Sequence, residues 1–319
     1  MKKILVLILA LIVAVAVFAA CDKKNPDDTS GATTTTATTE ATTETTEATT
    51  VTTEATTEAT TATTEATTET TEATTESTTT PIVVADIPEA YVDFDFKDGA
   101  IKDAKGNVSI FSNGTTVGKA NVTHGGKTYE VEALSASKGK YIICQFMNIS
   151  SASAMQEWAQ NGFSVEAFYV MNTKGGNVQG VICGTQAGGW GVAEDKTGKP
   201  YFITGHGSKK YNAGAYAKEV ASTTELVHVL AVYDYENAKN LIYINGVLNA
   251  STDIQSTFCV GDGDTFNRFC IGDDITLGNR GGDFPTNGMT MVDGKIYAKA
   301  LTENQVAAVY AAAVDALGK

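Results

Sequence analysis

The chain has 319 residues, with 23 Lys and Arg, 37 Asp and Glu, and a formal net charge of −14. Most of this charge lies between Asp22 and Thr80, which holds twelve acidic and two basic residues, whereas the chain from Pro81 onward holds 25 and 19. Neither part has the clustered Lys and Arg that bind phosphate groups or anionic lipid surfaces, so the composition argues against nucleic acid as a partner.

The first residues have the pattern of a secretory signal. Lys2 and Lys3 precede an unbroken apolar run over residues 4–20, and small residues come just before Cys21. The sequence Phe18-Ala19-Ala20-Cys21 resembles a bacterial lipoprotein lipobox, from which Phe18 departs because Leu, Val or Ile is usual there.

The lipobox resemblance implies a lipoprotein signal peptide at residues 1–20 and lipidation of Cys21. It also implies an extracytoplasmic chain at the cell surface, attached to the cell membrane through its N-terminal lipid only. The alternative is an uncleaved membrane anchor, because the seventeen apolar residues reach the lower limit for a spanning helix.

Residues 21–80 predict a disordered Thr/Glu-rich linker. From Ala41 the sequence repeats as ATTETTE, ATTVTTE and ATTEATT, and no aromatic residue occurs between Phe18 and Tyr91. A segment without large side chains cannot offset the entropy of ordering. A flexible linker of about 50 residues would span roughly 40 Å, and about 160 Å if fully drawn out.

Residues 82–319 predict one all-β domain, a two-sheet antiparallel β-sandwich with a short C-terminal helix. Apolar and polar residues alternate over short runs, which is typical of strands; these runs are residues 91–96, 140–146, 163–170, 226–233 and 241–244. Asn245-Gly246 predicts a tight hairpin, and Asp195–Gly198 predicts a second turn. Helices are expected only at 154–159 and at 302–313, where Thr302 and Gln305 form a capping box.

Five segments in order resemble the laminin-G-like, concanavalin A-like jelly roll of bacterial surface proteins. They are FSVEAF (163–168), LVHVLAVYD (226–234), LIYINGVL (241–248), FCIGDD (269–274) and MVDGKIYAKALTENQVAAVY (291–310). The resemblance implies the jelly-roll fold for the whole globular part. Lectins, glycosidases, lyases and protein-binding modules all use this fold, so it does not decide the function.

No catalytic residue is assigned from the sequence. The Glu-x-Asp-x-x-Glu string of jelly-roll glycosidases is absent, Asp93 and Asp95 are expected to face solvent, and Glu166 stands alone. Glu194 and Asp195 are adjacent and are expected to point to opposite faces. His228 is expected to pack in the interior, so no paired acid and base is found.

Asp262 and Asp264 supply oxygen ligands in a Gly-rich turn, so calcium is the cofactor that the sequence suggests. The echoed segments FCVGD (258–262) and FCIGD (269–273) predict neighbouring strands, which would place Cys259 opposite Cys270 in a disulfide. The other pairings among Cys144, Cys183, Cys259 and Cys270 remain open.

Two polar, Gly-rich loops are the predicted ligand-binding sites. The side chains predicted to contact the ligand are His206, Lys209, Tyr211 and Tyr216 in the first loop, and Arg280, Asp283 and Phe284 in the second. The function expected is noncatalytic binding of a glycan or an extracellular protein. The alternatives are a glycoside hydrolase or polysaccharide lyase, which needs clustered carboxylates or a Tyr with Lys, His or Arg, and a structural protein-interaction module.

Overall fold

The computed structural model describes residues 86–184, 188–207, 210–254, 256–261, 265–276 and 280–319. The side chains of residues 210–212, 276, 280 and 281 are not described. The predicted signal peptide, Cys21 and the predicted Thr/Glu-rich linker lie outside the described residues. None of the helices in the described part is both long enough and apolar enough to cross a lipid bilayer.

Two antiparallel sheets form a β-sandwich, as predicted. The nine-stranded sheet has the order β14-β13-β12-β7-β18-β1-β2, with β5 pairing with β18 and β4 pairing with β5. Its strands are β1 (Val92–Lys97), β2 (Ala100–Asp103), β4 (Thr116–His124), β5 (Lys127–Ala136), β7 (Phe163–Met171), β12 (Val227–Asp234), β13 (Lys239–Ile244), β14 (Val247–Asp253) and β18 (Met289–Tyr297).

The seven-stranded sheet has the order β11-β10-β9-β8-β15-β6-β3. Its strands are β3 (Val108–Asn113), β6 (Tyr141–Phe146), β8 (Gln179–Cys183), β9 (Trp190–Glu194), β10 (Pro200–His206), β11 (Lys210–Tyr216) and β15 (Arg268–Ile271). A short ribbon of β16 (Ile275–Thr276) and β17 (Arg280–Gly281) follows β15. Ile275 is fully buried and packs against Ile143 and Cys270 on the outer side of this sheet.

The turns and helices follow local sequence rules. Asn245 and Gly246 both have positive φ, 49° and 78°, which a type I′ hairpin requires. Helix α1 covers Ala152–Gln160 and helix α2 covers Glu303–Ala316. In α2 the Thr302 side chain accepts from the Gln305 backbone N–H, and the Gln305 side chain accepts from the Thr302 N–H, so the predicted capping box is present.

The core lies between the sheets and is rich in aromatic rings. Trp158 of α1 stacks on Phe163 at 5.2 Å between ring centroids, and Trp190 packs against the same ring at 5.8 Å. A second apolar cluster lies on the outer side of the nine-stranded sheet, where Val306 and Val309 of α2 pack against Leu230 and Val232. Because α2 covers this side, β7 is buried along its whole length.

Candidate ligand-binding site

A row of polar side chains crosses three strands on the outer side of the seven-stranded sheet. The register pairs Ser109 of β3 with Gln145 of β6, and Gln145 with Arg268 of β15. Arg268 Nε donates to Gln145 Oε1 at 3.2 Å. Antiparallel pairing thus brings together residues that are far apart in the sequence, and the resulting row can donate and accept hydrogen bonds.

An apolar row lies two residues further along the same strands. Phe111 pairs with Ile143, and Ile143 pairs with Cys270. Residues two apart on a strand share a face, so this row lies beside the polar one. Phe111 is 63% exposed, whereas Ile143 and Cys270 are buried. A large aromatic side chain therefore stands next to polar groups on an open surface.

We call the space along these two rows the β3–β15 groove. One part has a volume of about 350 Å³ and is lined by Phe111, Ile143 and the polar row. An adjoining part of about 490 Å³ continues past the same polar row to Met147 and Phe266. Among the described residues that line the groove, Arg268 is the only charged one. The described lining residues of the groove thus offer an aromatic platform, two amides, two hydroxyls and one cation, and none of them carries a carboxylate.

His206, a predicted ligand residue, is instead a structural one. It is 1% exposed. Its Nε2 lies 2.6 Å from Thr204 Oγ1 and its Nδ1 lies 2.8 Å from the Ser256 carbonyl oxygen, so both ring nitrogens are engaged. Burial lowers the pKa of this imidazole. The prediction was wrong because the Gly-rich, polar sequence around His206 lies at the end of a buried strand rather than in an open loop.

The rest of the first predicted loop is only partly described. Lys209 and the side chain of Tyr211 lie outside the described residues. Tyr216 is 50% exposed and stacks on Tyr201, with 4.9 Å between the ring centroids. Tyr216 belongs to β11 at one edge of the seven-stranded sheet, whereas Phe111 belongs to β3 at the other edge. The strand order therefore does not bring Tyr216 into the β3–β15 groove.

The second predicted loop is held in place by hydrogen bonds from its backbone N–H groups to two aspartate side chains. The N–H of Asp283 donates to Asp274 Oδ1 at 2.7 Å, and the N–H of Phe284 donates to Asp273 Oδ1 at 3.2 Å. Asp283 is exposed and Phe284 is half-buried. The side chain of Arg280 is outside the described part. Neither Asp283 nor Phe284 lines the β3–β15 groove.

The predicted calcium ligands Asp262 and Asp264 lie outside the described residues, so that prediction stays open. Within the described ranges, no group of three or more His, Cys, Asp and Glu side chains is placed to hold a metal ion. The carboxylates of the nearby Asp273 and Asp274 accept backbone N–H groups of the 283–284 loop. Burial raises the pKa of Asp273 to about 6.

The predicted disulfide between Cys259 and Cys270 is not formed in the structure. The two echoed segments are not neighbouring strands. Cys270 lies on β15, whose neighbours are β6 and β8. The backbone of Cys259 instead pairs with Gly205 and Gly189. Similar sequences at 258–262 and 269–273 therefore occupy different places in the fold.

Glu166 stands alone in the sequence but belongs to a buried polar network. Its Oε1 lies 3.0 Å from His228 Nε2, the Tyr297 hydroxyl donates to its Oε2 at 2.9 Å, and Lys295 Nζ lies 3.7 Å from Oε2. Burial opposes ionisation of Glu166, yet Lys295 and these hydrogen bonds keep its pKa lowered. Because Glu166 and His228 are fully buried, neither can contact a ligand.

A second cavity of about 670 Å³ lies where the nine-stranded sheet divides. β18 pairs with β5 at Met289–Met291 and with β1 near Lys295, and a β-bulge lies between Met291 and Asp293. Asp93, Asp95 and Asp293 line this cavity together with residues of β4, β5 and α2. Burial, reinforced by the negative charge of Glu166, raises the pKa of Asp293 to about 6. Among the described residues, carboxylates thus collect at this cavity, whereas none lines the β3–β15 groove.

Glu194 and Asp195 lie in different surroundings, since β9 ends at Glu194 and Asp195 belongs to the following turn. Glu194 is 1% exposed, and burial raises its pKa to about 7. The Asp195 carboxylate accepts from the backbone N–H groups of Thr197 and Lys199, which closes the turn between β9 and β10. Neither residue presents a carboxylate to the β3–β15 groove.

Comparison with known proteins identifies the fold. The family model Laminin_G_3, described as the concanavalin A-like lectin/glucanases superfamily, matches residues 147–307. No curated protein matches the chain.

Two solved structures share the fold at low sequence identity. The binding domain of botulinum neurotoxin DC in complex with SialylT is 13% identical with a TM-score of 0.51, over 72% of this chain and 52% of that one. A structure of botulinum neurotoxin type C, whose cell entry is described as dependent upon interaction with two ganglioside molecules, is 11% identical with a TM-score of 0.50, over 70% and 51%. This chain therefore matches about half the length of each, and the likeness shows the fold alone.

Proposed function

The chain belongs to the concanavalin A-like lectin/glucanases superfamily, and we propose on that premise that its folded domain binds a glycan without catalysis. The observation that carries this proposal is the β3–β15 groove, where the exposed ring of Phe111 lies beside Ser109, Gln145 and Arg268. Sugar-binding sites combine an apolar face for the ring with a few polar groups that fix its hydroxyls.

The proposed contacts follow from the two rows. The apolar face of a pyranose would stack on Phe111. Its hydroxyls would then reach Gln145, Ser109 and Arg268, whose strand positions place them one step along the sheet. The volume of the groove, about 350 Å³ in the part beside Phe111, is at the lower end of the range for small-molecule sites.

Two neighbours with the same fold are described by their ligands: one is a binding domain in complex with SialylT, and the other is a toxin whose cell entry depends on interaction with two ganglioside molecules. At 13% and 11% identity they support a glycan as a ligand class that this fold accommodates, without assigning a residue. An extracellular protein is the other partner that the proposal admits.

We further propose that the domain is displayed at the cell surface, with Cys21 lipidated after cleavage at residue 20 and with residues 21–80 as a spacer. The sequence pattern before Cys21 supports this proposal. In cells fed a labelled fatty acid, the chain should incorporate label and the Cys21→Ser variant should not. Equal labelling of both would refute lipidation at this residue.

Glycan-array binding of the full chain, with calcium and with a chelator, tests the ligand class. We expect Phe111→Ala to lose at least about tenfold in affinity, equivalent to about 1.4 kcal/mol. Val247→Ala is the matched control, since Val247 is 68% exposed on β14 of the other sheet. If Phe111→Ala and the parent chain bind the same glycans equally well, the β3–β15 groove is not the binding site. If the parent chain loses glycan binding when the chelator is added, calcium is part of the site.

The same array separates the alternatives. Release of sugar products would replace the binding function with a glycoside hydrolase or lyase. The carboxylate-lined cavity at Asp93, Asp95 and Asp293 would then be the place to substitute first. Failure to bind any glycan, together with capture of an extracellular protein by the Phe111 surface, would favour an interaction module.

A further inference from the structure

Two cysteines lie directly opposite each other in the middle of the seven-stranded sheet. Cys183 of β8 is the register partner of Cys270 of β15. Their neighbours Ile182 and Ile271 point into the core between the sheets, so both cysteines point to the outer side. Cys183 is 2% exposed and Cys270 is 0% exposed. Both thiols are thus buried on the same face of the sheet.

The spacing of an antiparallel pair suits a covalent link between them. Cβ atoms of directly opposite residues lie about 4.5–5.5 Å apart, and those of a disulfide about 3.5–4.5 Å. Cys183 Sγ donates to the Val192 carbonyl oxygen at 3.1 Å, on the side of β9. Formation of the bond would require this side chain to rotate toward β15 and the two strands to approach slightly.

Strand geometry rejects the other pairings of Cys270. Cys144 belongs to the core cluster and thus lies on the opposite face of the sheet. Its register partner on β15 is Phe269, not Cys270. Cys259 belongs to neither β8 nor β15, and its backbone is bonded to Gly205 and Gly189. Of the pairings that the sequence leaves open, only Cys183 with Cys270 joins adjacent strands on one face.

We propose that Cys183 and Cys270 form a cross-strand disulfide when the chain folds in the presence of a small-molecule disulfide. One cysteine thiolate attacks glutathione disulfide and releases one glutathione thiol. The second thiolate attacks this mixed disulfide and releases the other glutathione. The two cysteines lose two protons and two electrons, the sulfur–sulfur bond forms, and glutathione disulfide is reduced to two thiols.

The folded sheet limits when the exchange can occur. Burial raises the pKa of both the Cys183 and the Cys270 thiol, and the thiolate is the reactive form. Thiols of a chain already folded in the reduced state will therefore exchange slowly. The bond forms while β8 and β15 are still assembling and is afterwards protected from reductants by the same burial.

The Cys183–Cys270 disulfide would also hold β15, the strand that carries Arg268 of the β3–β15 groove. Arg268 lies two residues before Cys270 on the same face of β15. A bond to β8 holds β15 from the side opposite to β6, which carries Gln145. The disulfide does not depend on the proposed glycan function, because its argument uses only strand register and burial.

Refolding of the full chain tests the pairing. The reduced, unfolded protein is diluted into a buffer of oxidised and reduced glutathione, quenched with acid, alkylated under denaturing conditions and digested. Mass spectrometry should find the Cys183 and Cys270 peptides joined, with Cys144 fully alkylated. Cys144→Ser and Cys259→Ser should retain the joined peptides, whereas Cys270→Ser should lose them and leave Cys183 alkylated.

A second variant keeps the test decisive if Cys270→Ser does not fold. Cys183→Ala should then give an alkylated Cys270, with circular dichroism reporting whether the sheet is retained. Alkylation of Cys183 and Cys270 to the same extent as Cys144 in refolded protein would overturn the proposal. Linkage of Cys270 to Cys144 or Cys259 would overturn it as well.

Discussion

Glu194 should make the fold less stable as the pH rises, and Glu194→Gln should remove that dependence. The side chain is 1% exposed at the end of β9. Burial raises its pKa from 4.5 to about 7, and the neighbouring Tyr169 side chain offsets only part of that increase. The folded protein therefore binds this proton more tightly than the unfolded chain does.

The sign and size follow from proton linkage. Because the pKa is raised in the folded state, the stabilisation is fully present below pH 4.5 and is lost as the pH rises through 7. One pKa unit corresponds to about 1.4 kcal/mol. Between pH 5 and pH 8, the free energy of unfolding should thus fall by about 2.5 kcal/mol through this group alone.

Urea denaturation at several pH values, followed by fluorescence of Trp158 and Trp190, measures this loss. The parent chain should lose about 2.5 kcal/mol more than Glu194→Gln between pH 5 and pH 8. Other buried acids, such as Asp273 and Asp293, titrate in both proteins and cancel in the difference.

Glu157→Gln on α1 is the matched control, because it makes the same charge change at an exposed position. Its free energy of unfolding should follow that of the parent across the whole pH range. Parallel curves for the parent and Glu194→Gln would refute the reasoning, since they would mean that the Glu194 carboxyl has the same proton affinity in the folded and unfolded chains.

Three further substitutions test other parts of the fold. Glu166→Ala should lower the free energy of unfolding by at least about 2 kcal/mol in urea melts, because it leaves the Tyr297 hydroxyl and the His228 ring nitrogen without their buried partner, and Glu166→Gln should cost less. Gly246→Ala should lower the Tm more than Gly126→Ala, since both glycines have positive φ but only the first would place a Cβ 2.9 Å from the Tyr310 ring; equal losses would contradict this contact. Thr302→Ala should cost about 1 kcal/mol in the same melts through loss of the cap of α2, and an unchanged midpoint would argue against the capping box.

The features predicted correctly from the sequence are mostly local ones. The hairpin at Asn245-Gly246 needs two adjacent residues that tolerate positive φ, and the start of α2 needs Thr302 and Gln305 three residues apart. The strands around Phe163 and Val229 could be predicted because alternation and β-branched residues are read within a short window. The jelly-roll class followed from the order of such segments.

The candidate groove could not be predicted in the same way. Ser109, Gln145 and Arg268 meet because β3, β6 and β15 are adjacent in one sheet, and that order is a tertiary property. The sequence gives only a weak signal for this groove, because polar residues at the solvent-facing positions of alternating strands are common. The polar, Gly-rich sequence around His206 predicted a ligand-binding loop there, but the His206 imidazole is buried in the structure.

The Glu166 network was missed for the same reason. The residues that surround this carboxylate come from β12 and β18, more than sixty positions away in the sequence. A sequence pattern can show that a glutamate stands in an apolar strand, but it cannot show which cation and hydroxyl compensate it. An isolated acidic residue in a buried strand is nevertheless a signal that partners must exist, because an uncompensated buried charge is costly.

The position of β18 has a consequence for the order in which the domain can form during synthesis. This strand is the last in the chain, yet it lies between β7 and β1 and also pairs with β5. Before Met289–Tyr297 is synthesised, three groups of strands, β7-β12-β13-β14, β1-β2 and β4-β5, lack the strand that joins them into one sheet. The nine-stranded sheet should therefore stay incomplete until translation is nearly finished, so that the domain completes its fold only after its last strand has been synthesised.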